Sequence, residues 1–127
     1  MSEQKGAYKA ALNAAIVTTA GAVLSILNPE GADLIITRLL LDITTEATGA
    51  ANVDAGIAAN GTTSSDTLID AGDVGSAAAI LDNADATDQG TNGKASRKWG
   101  AAQYLTITAS ATLADMVGNA YIEYMRE

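Results

Sequence analysis

A chain of 127 residues is long enough for one domain around a single core, and it contains neither Cys nor His. Without thiolate or imidazole, Ser-His-Asp and Cys-His catalysis and thiolate metal sites are excluded. The net charge of −8, seven Lys and Arg against fifteen Asp and Glu, leaves no basic stripe for a phosphate backbone or an anionic membrane.

Residues 1–12 are polar around Tyr8 and read as a flexible N-terminal arm, with residues 13–127 as one sandwich domain. Residues 10–29 carry no charge, but Asn13, Thr18, Thr19, Gly21, Ser25 and Asn28 interrupt them. The head of the chain also lacks the basic and apolar regions of a signal peptide. Neither a membrane span nor a leader is expected. Residues 14–19 and 22–27 are rich in β-branched side chains and predict strand, with a bend at Gly21. Asn28-Pro29-Glu30-Gly31 carries a type I turn signature: Asn first, Pro second, Gly fourth.

The run over residues 33–45 predicts a long strand, with a helix as the alternative. Alternation puts Ile35, Leu39, Leu41 and Ile43 on one face, Arg38, Asp42 and Thr44 on the other, and Leu40 half covered by a neighbour. Val53, Ala55 and Ile57 alternate inward in the next strand, and residues 60–67 form a polar loop. Residues 67–70 read as a short strand or turn. Residues 75–82, rich in Ala with Ser76 as cap, suit the one short helix. After a turn-rich stretch to Gly93, residues 94–100, 104–109 and 119–125 give three more strands. Leu105, Ile107 and Ala109 face one way in the second, and Ala120, Ile122 and Tyr124 in the third. About seven short strands without a βαβ rhythm predict a mainly all-β fold, an antiparallel β-sandwich of jelly-roll type.

The core chemistry is unusual. Apolar residues make up 48% of the chain, yet Phe is absent, aromatics are 4% and Ala supplies roughly a fifth. Each buried residue then removes less surface from water than in a Leu- and Phe-rich core. Burial between subunits is expected to make up part of the difference.

Candidate sites are few. Asp54, Asp66, Asp70, Asp73, Asp82, Asp85 and Asp88 follow one another with no Lys or Arg between them, and residues 82–90 invite a calcium reading. Their spacing does not fit an EF-hand loop, and Asp is a turn former in its own right, so no metal or other cofactor is expected. No carboxylate pair stands out for glycoside cleavage, and no small-molecule substrate is indicated. Trp99, beside Arg97 and Lys98, is open to three readings: a ring packed on the core edge, an interface anchor, or a sugar shelf. The glycine-rich segments at residues 72–75 and 90–94 lack dinucleotide and P-loop spacing and read as turns. Asn60-Gly61-Thr62 matches a glycosylation acceptor by chance.

Asn28-Pro29-Glu30-Gly31 leading into Leu34-Ile35-Ile36-Thr37-Arg38, then residues 90–94, Trp99-Gly100, and Ala120-Tyr121-Ile122-Glu123-Tyr124 together resemble small structural proteins of tailed bacteriophages, the head decoration or cement proteins. The resemblance runs from about residue 20 to the end. It implies a symmetric oligomer, usually a trimer, seated on the major capsid protein at capsomer junctions. The protein would be assembled in the host cytoplasm and located on the virion surface, and it would be no enzyme. The family has no shared site motif, so no functional residues transfer. The negative charge suits the outer surface, away from packaged DNA. Tyr8, on an arm able to add a strand to a capsid sheet, and Trp99 are the expected partner contacts. A carbohydrate-binding jelly roll of a phage fibre, or a tail or neck component, are the competing readings.

Overall fold

The computed structural model describes residues 4–13 and 23–127. The strand and bend expected over residues 14–22 lie outside the described residues. Among the described residues nine strands form: β1 (Lys5–Ala11), β2 (Leu24–Leu27), β3 (Leu34–Thr45), β4 (Asn52–Ala58), β5 (Ile69–Asp73), β6 (Ala79–Asp82), β7 (Arg97–Trp99), β8 (Tyr104–Ala109) and β9 (Val117–Arg126). One sheet, A, runs β1-β9-β3-β6 with β7 also on β3; the other, B, runs β2-β8-β4-β5.

All pairings are antiparallel. With β7 set aside, β1·β9, β2·β8, β3·β6 and β4·β5 nest as rungs of one long hairpin folded over itself, and β9·β3 and β8·β4 close the two sheets. That is the wiring of a jelly roll. The chain is therefore an all-β sandwich, as its alternation predicts.

Between the sheets, Leu34, Ile36, Leu39, Leu41 and Ile122 of sheet A meet Val53, Ala55, Leu105 and Ile107 of sheet B, all buried. Trp99 is fully buried among them, its ring edge-on to Tyr124 at 6.5 Å and its indole N–H donating to the Gln103 carbonyl at 2.9 Å. Ala at 47, 51, 55, 109 and 120 fills the tight positions.

Four sequence expectations change. First, strict alternation fails in β3. Its register against β9 shifts between Ile36 and Arg38, so Leu34 and Ile36 face the core before the bulge and Leu39, Leu41 and Ile43 after it. Ile35 thus leaves the expected inward set, whereas Leu40 is half covered on the outer face, as expected. The Thr37 hydroxyl steadies the bulge by donating to the Glu123 carboxylate at 2.9 Å and to the Glu123 carbonyl at 3.2 Å.

Second, residues 75–82 form no helix. Ala79–Asp82 is β6, paired with residues 40–43 of β3, and the turn before it is held by Asp73 Oδ1, which accepts from the Gly75 and Ser76 N–H groups. A partner strand on the edge of β3 outweighs the helix preference of a few Ala. The single helix among the described residues is α1 (Ala86–Gln89), capped by Asp85 Oδ1 accepting from the Thr87 N–H.

Third, the segment expected as a flexible arm is strand β1, in register with β9 from Lys5↔Met125 to Ala11↔Asn119. A clasp secures its start. Arg126 donates to both Glu30 carboxylate oxygens at 2.6 Å and to the Lys5 carbonyl at 2.7 Å, while the Tyr124 hydroxyl donates to Glu30 at 2.7 Å. Arg126, and then the Tyr124 hydroxyl, hold the Glu30 carboxyl below the ordinary carboxylate range. Burial, and then Glu30, push the Tyr124 hydroxyl up. Gly6 makes room for this ring, since a Cβ there would lie 2.5 Å from it.

Fourth, Trp99 sits wholly within the core, which removes its ring from both the interface and the sugar-shelf readings. A large apolar ring with one polar N–H is best placed where a carbonyl can accept from it, and Gln103 supplies one.

The expected turn at Asn28 is present and does more than reverse the chain. Asn28 Oδ1 accepts from the Glu30 and Gly31 N–H groups, and Gly31 takes the left-handed φ of +67°. Asn28 Nδ2 donates to the carbonyls of Ala32, Trp99 and Gly100 at 2.8, 2.9 and 3.1 Å. One amide thus ties the β2–β3 turn to the end of β7.

Candidate interaction face

The two outer faces of the sandwich differ. That of sheet B is roofed over β8 and β4 by the loop joining β4 to β5, while Leu27 on the β2 edge stays 49% exposed. Thr106, fully buried, donates its hydroxyl to the Thr63 carbonyl at 2.9 Å, and the Ile57 N–H donates to Thr67 Oγ1 at 3.1 Å. The loop lies so close that a Cβ on Gly56 would come within 2.4 Å of Ser65 Oγ.

The outer face of sheet A has no such cover among the described residues. Residues opposite one another share a face, so register alone gives its rows. Lys9, Tyr121, Leu40 and Asp82 form one row, and Ala7, Glu123 and Arg38 the next. Asp42 and Ile80 lie to one side of them and Met125 and Ile35 to the other. Ile80 is 61% exposed, Val117 54%, Met125 40% and Tyr121 38%. At these outward positions a strand facing water normally carries polar side chains.

In the middle of this face, Ala7, Lys9, Arg38, Leu40, Tyr121 and Glu123 border a shallow depression of about 410 Å³. Lys9 Nζ lies over the Tyr121 ring, 5.5 Å from its centre. Arg38 grips Asp82 with two guanidinium N–H groups, which holds the Asp82 carboxyl below its ordinary value. Arg38 is thus paired in place, Lys9 lies on the Tyr121 ring, Glu123 accepts from the Thr37 hydroxyl, and Leu40 and Ala7 lend the depression apolar surface.

Tyr8, expected as an arm anchor, lies on β1 opposite Ile122, so its row is the inward one of sheet A, and at the sheet edge it is 38% exposed. It is therefore held on the sheet edge instead of on a reaching arm. Trp99 offers no exposed surface to a partner. The sequence reading passed over Tyr121, Ile80, Val117 and Met125. The available signal was that β9 carries apolar side chains at outward positions 117, 121 and 125.

The acidic stretch serves local structure. Asp82 Oδ1 accepts from the Ala84 N–H and Asp88 Oδ2 from the Asp82 N–H, both at 2.9 Å, while Asp85 caps α1. Buried Asn83 closes the ring: its Oδ1 accepts from the Leu39 N–H and its Nδ2 donates to the Lys94 and Ala95 carbonyls. Among the described residues, no group of three acidic side chains is placed to hold a metal ion, and no helix is long and apolar enough to cross a membrane.

Compared with protein-family models, with curated proteins and with solved structures, the chain matches none.

Proposed function

We propose that this chain is a structural virion protein, a decoration or cement protein on the outer surface of a tailed-phage head. It works as a homo-oligomer, with a trimer favoured, and its partner is the major capsid protein. One observation carries the reading: the outer face of sheet A exposes Ile80, Val117, Tyr121 and Met125, while the chain's own loop covers the centre of sheet B and leaves Leu27 exposed at its β2 edge. Exposed apolar side chains interleaved with charged ones across a sheet face favour a protein partner. The net charge of −8 supports an outward position, away from packaged DNA. The tie between β1 and the Glu30 clasp supports docking of a preformed sheet edge over capture by a disordered arm.

Cosedimentation with empty phage heads, read together with the size of the free protein, tests the proposal. Attachment is expected for the wild type and is lost in Tyr121→Asp and Ile80→Asp, whose side chains lie outside the core. A chain that stays in the supernatant, or face variants that attach as well as the wild type, would overturn it. The carbohydrate reading expects Trp99 and Tyr side chains exposed along a groove; Tyr121 is exposed, but the burial of Trp99 removes its main platform.

A further inference from the structure

The roof over sheet B contains an Asn-Gly step, and a second such step follows α1. Both Asn side chains are exposed, but the hydrogen bonds around the attacking nitrogen and the side-chain amide differ between them. At Asn60-Gly61, Asn60 is exposed, and its Oδ1 accepts three hydrogen bonds. These come from the Thr62 N–H at 3.0 Å, the Thr62 hydroxyl at 2.9 Å and the Thr63 hydroxyl at 2.7 Å. Three donors aimed at one carbonyl oxygen polarise it and stabilise the charge that it gains on becoming tetrahedral. The Gly61 N–H donates to no acceptor among the described residues, so the nucleophile is untied.

At Asn92-Gly93 the nucleophile is occupied, since the Gly93 N–H donates to the Gln89 carbonyl at 2.8 Å. Gly93 is also packed: a Cβ there would lie 2.5 Å from the carbonyls of Gln89 and Leu68. Asn92 Nδ2 donates to the Asp66 carboxylate at 3.0 Å, which sets a negative charge beside the group that would become anionic.

We propose that Asn60-Gly61 is a self-modification site of the folded protein, cyclising to a succinimide and opening to aspartate or isoaspartate, while Asn92-Gly93 is protected by the fold. Hydroxide removes the Gly61 amide proton, and the nitrogen forms a bond to Asn60 Cγ as the carbonyl electron pair moves to Oδ1. Collapse breaks the Cγ–Nδ2 bond, and Nδ2 leaves with a proton from water as ammonia. Water then adds to either ring carbonyl and opens it, so one water is consumed and one ammonia released. The product carries one more negative charge. In the isoaspartate form it also adds a backbone methylene to a loop held on Ser25, Tyr104 and Thr106.

The test incubates the folded full-length chain at mildly alkaline pH and follows both sites by peptide mapping with isoaspartate detection. Position 60 is expected to convert at least about tenfold faster than position 92, the ratio falling to near one in urea. Thr63→Val is expected to slow conversion about fivefold with an unchanged melting temperature. Equal rates at the two sites in the folded chain, a ratio that persists in urea, or conversion undiminished in Thr63→Val would overturn the proposal.

Discussion

Replacing Asn28 by Ala removes a side chain that is 5% exposed and makes five hydrogen bonds. The Trp99 carbonyl is left buried without that donor, a loss of about 1–3 kcal/mol, while the Ala32 and Gly100 carbonyls lie where water can replace part of theirs. Loss of the acceptor that shapes the turn adds about 1 kcal/mol. The expected total is about 3 kcal/mol, a melting temperature lower by about 10 °C in a chain of this length. Urea denaturation and thermal unfolding measure both. Asn28→Asp keeps the acceptor but turns a carboxylate toward three carbonyls, so it should cost at least as much as Ala. A loss below about 1 kcal/mol in Asn28→Ala, or a neutral Asn28→Asp, would refute the claim that this amide links the turn to β7.

Gly6→Ala places a methyl 2.5 Å from the Tyr124 ring, which the Trp99 contact and the Glu30 hydrogen bond hold in place. β1 should lose hydrogen-exchange protection while β8 keeps it, with an overall loss of about 1–3 kcal/mol. Unchanged protection across residues 5–11 would show that the ring moves freely. The pH dependence follows from four carboxyls held below their ordinary values: Glu30 by Arg126, Asp33 by the Ala101 N–H and then Lys98, Asp73 by Ser76 and then the Gly75 N–H, and Asp82 by Arg38. Each binds its proton more readily in the unfolded chain. Their contribution is therefore full above the unfolded values of 4.5 for Glu and 3.8 for Asp, and is lost as pH falls through the lower folded values. With no His, stability should be flat between about pH 5 and 8. Denaturation midpoints across pH measure this, and Glu30→Gln should make the acid limb shallower. A midpoint that rises on acidification would contradict the sign.

The sandwich was legible because two-residue alternation survives intact in β9 and is broken in β8 only at Thr106, which the loop covers. The turn at Asn28 was legible because each residue type is required by the backbone it adopts. Three features were not, each for a physical reason. The bulge at Thr37 inserts one residue, and no local composition marks where a strand will slip against a partner 86 positions away. Ala-rich β6 follows the needs of the β3 edge instead of its own helix preference. Lys5–Ala11 looks like a polar tail because a strand on a sheet edge buries little, and its clasp is built from Glu30 and Arg126, distant in sequence. The interaction face was half legible. Apolar residues at positions 117, 121 and 125 were visible, but they signify an uncovered patch only once the pairing of β1, β9, β3 and β6 assembles them with Leu40 and Ile80.

Side-chain oxidative footprinting of the free chain and of the chain attached to empty heads tests the central claim most directly, because Tyr121 and Met125 report the outer face of sheet A and exposed Leu27 reports sheet B. Strong protection of Tyr121 and Met125 on attachment is expected, with undiminished labelling of Leu27. Protection of Leu27 with Tyr121 and Met125 as reactive as in the free chain would contradict that claim.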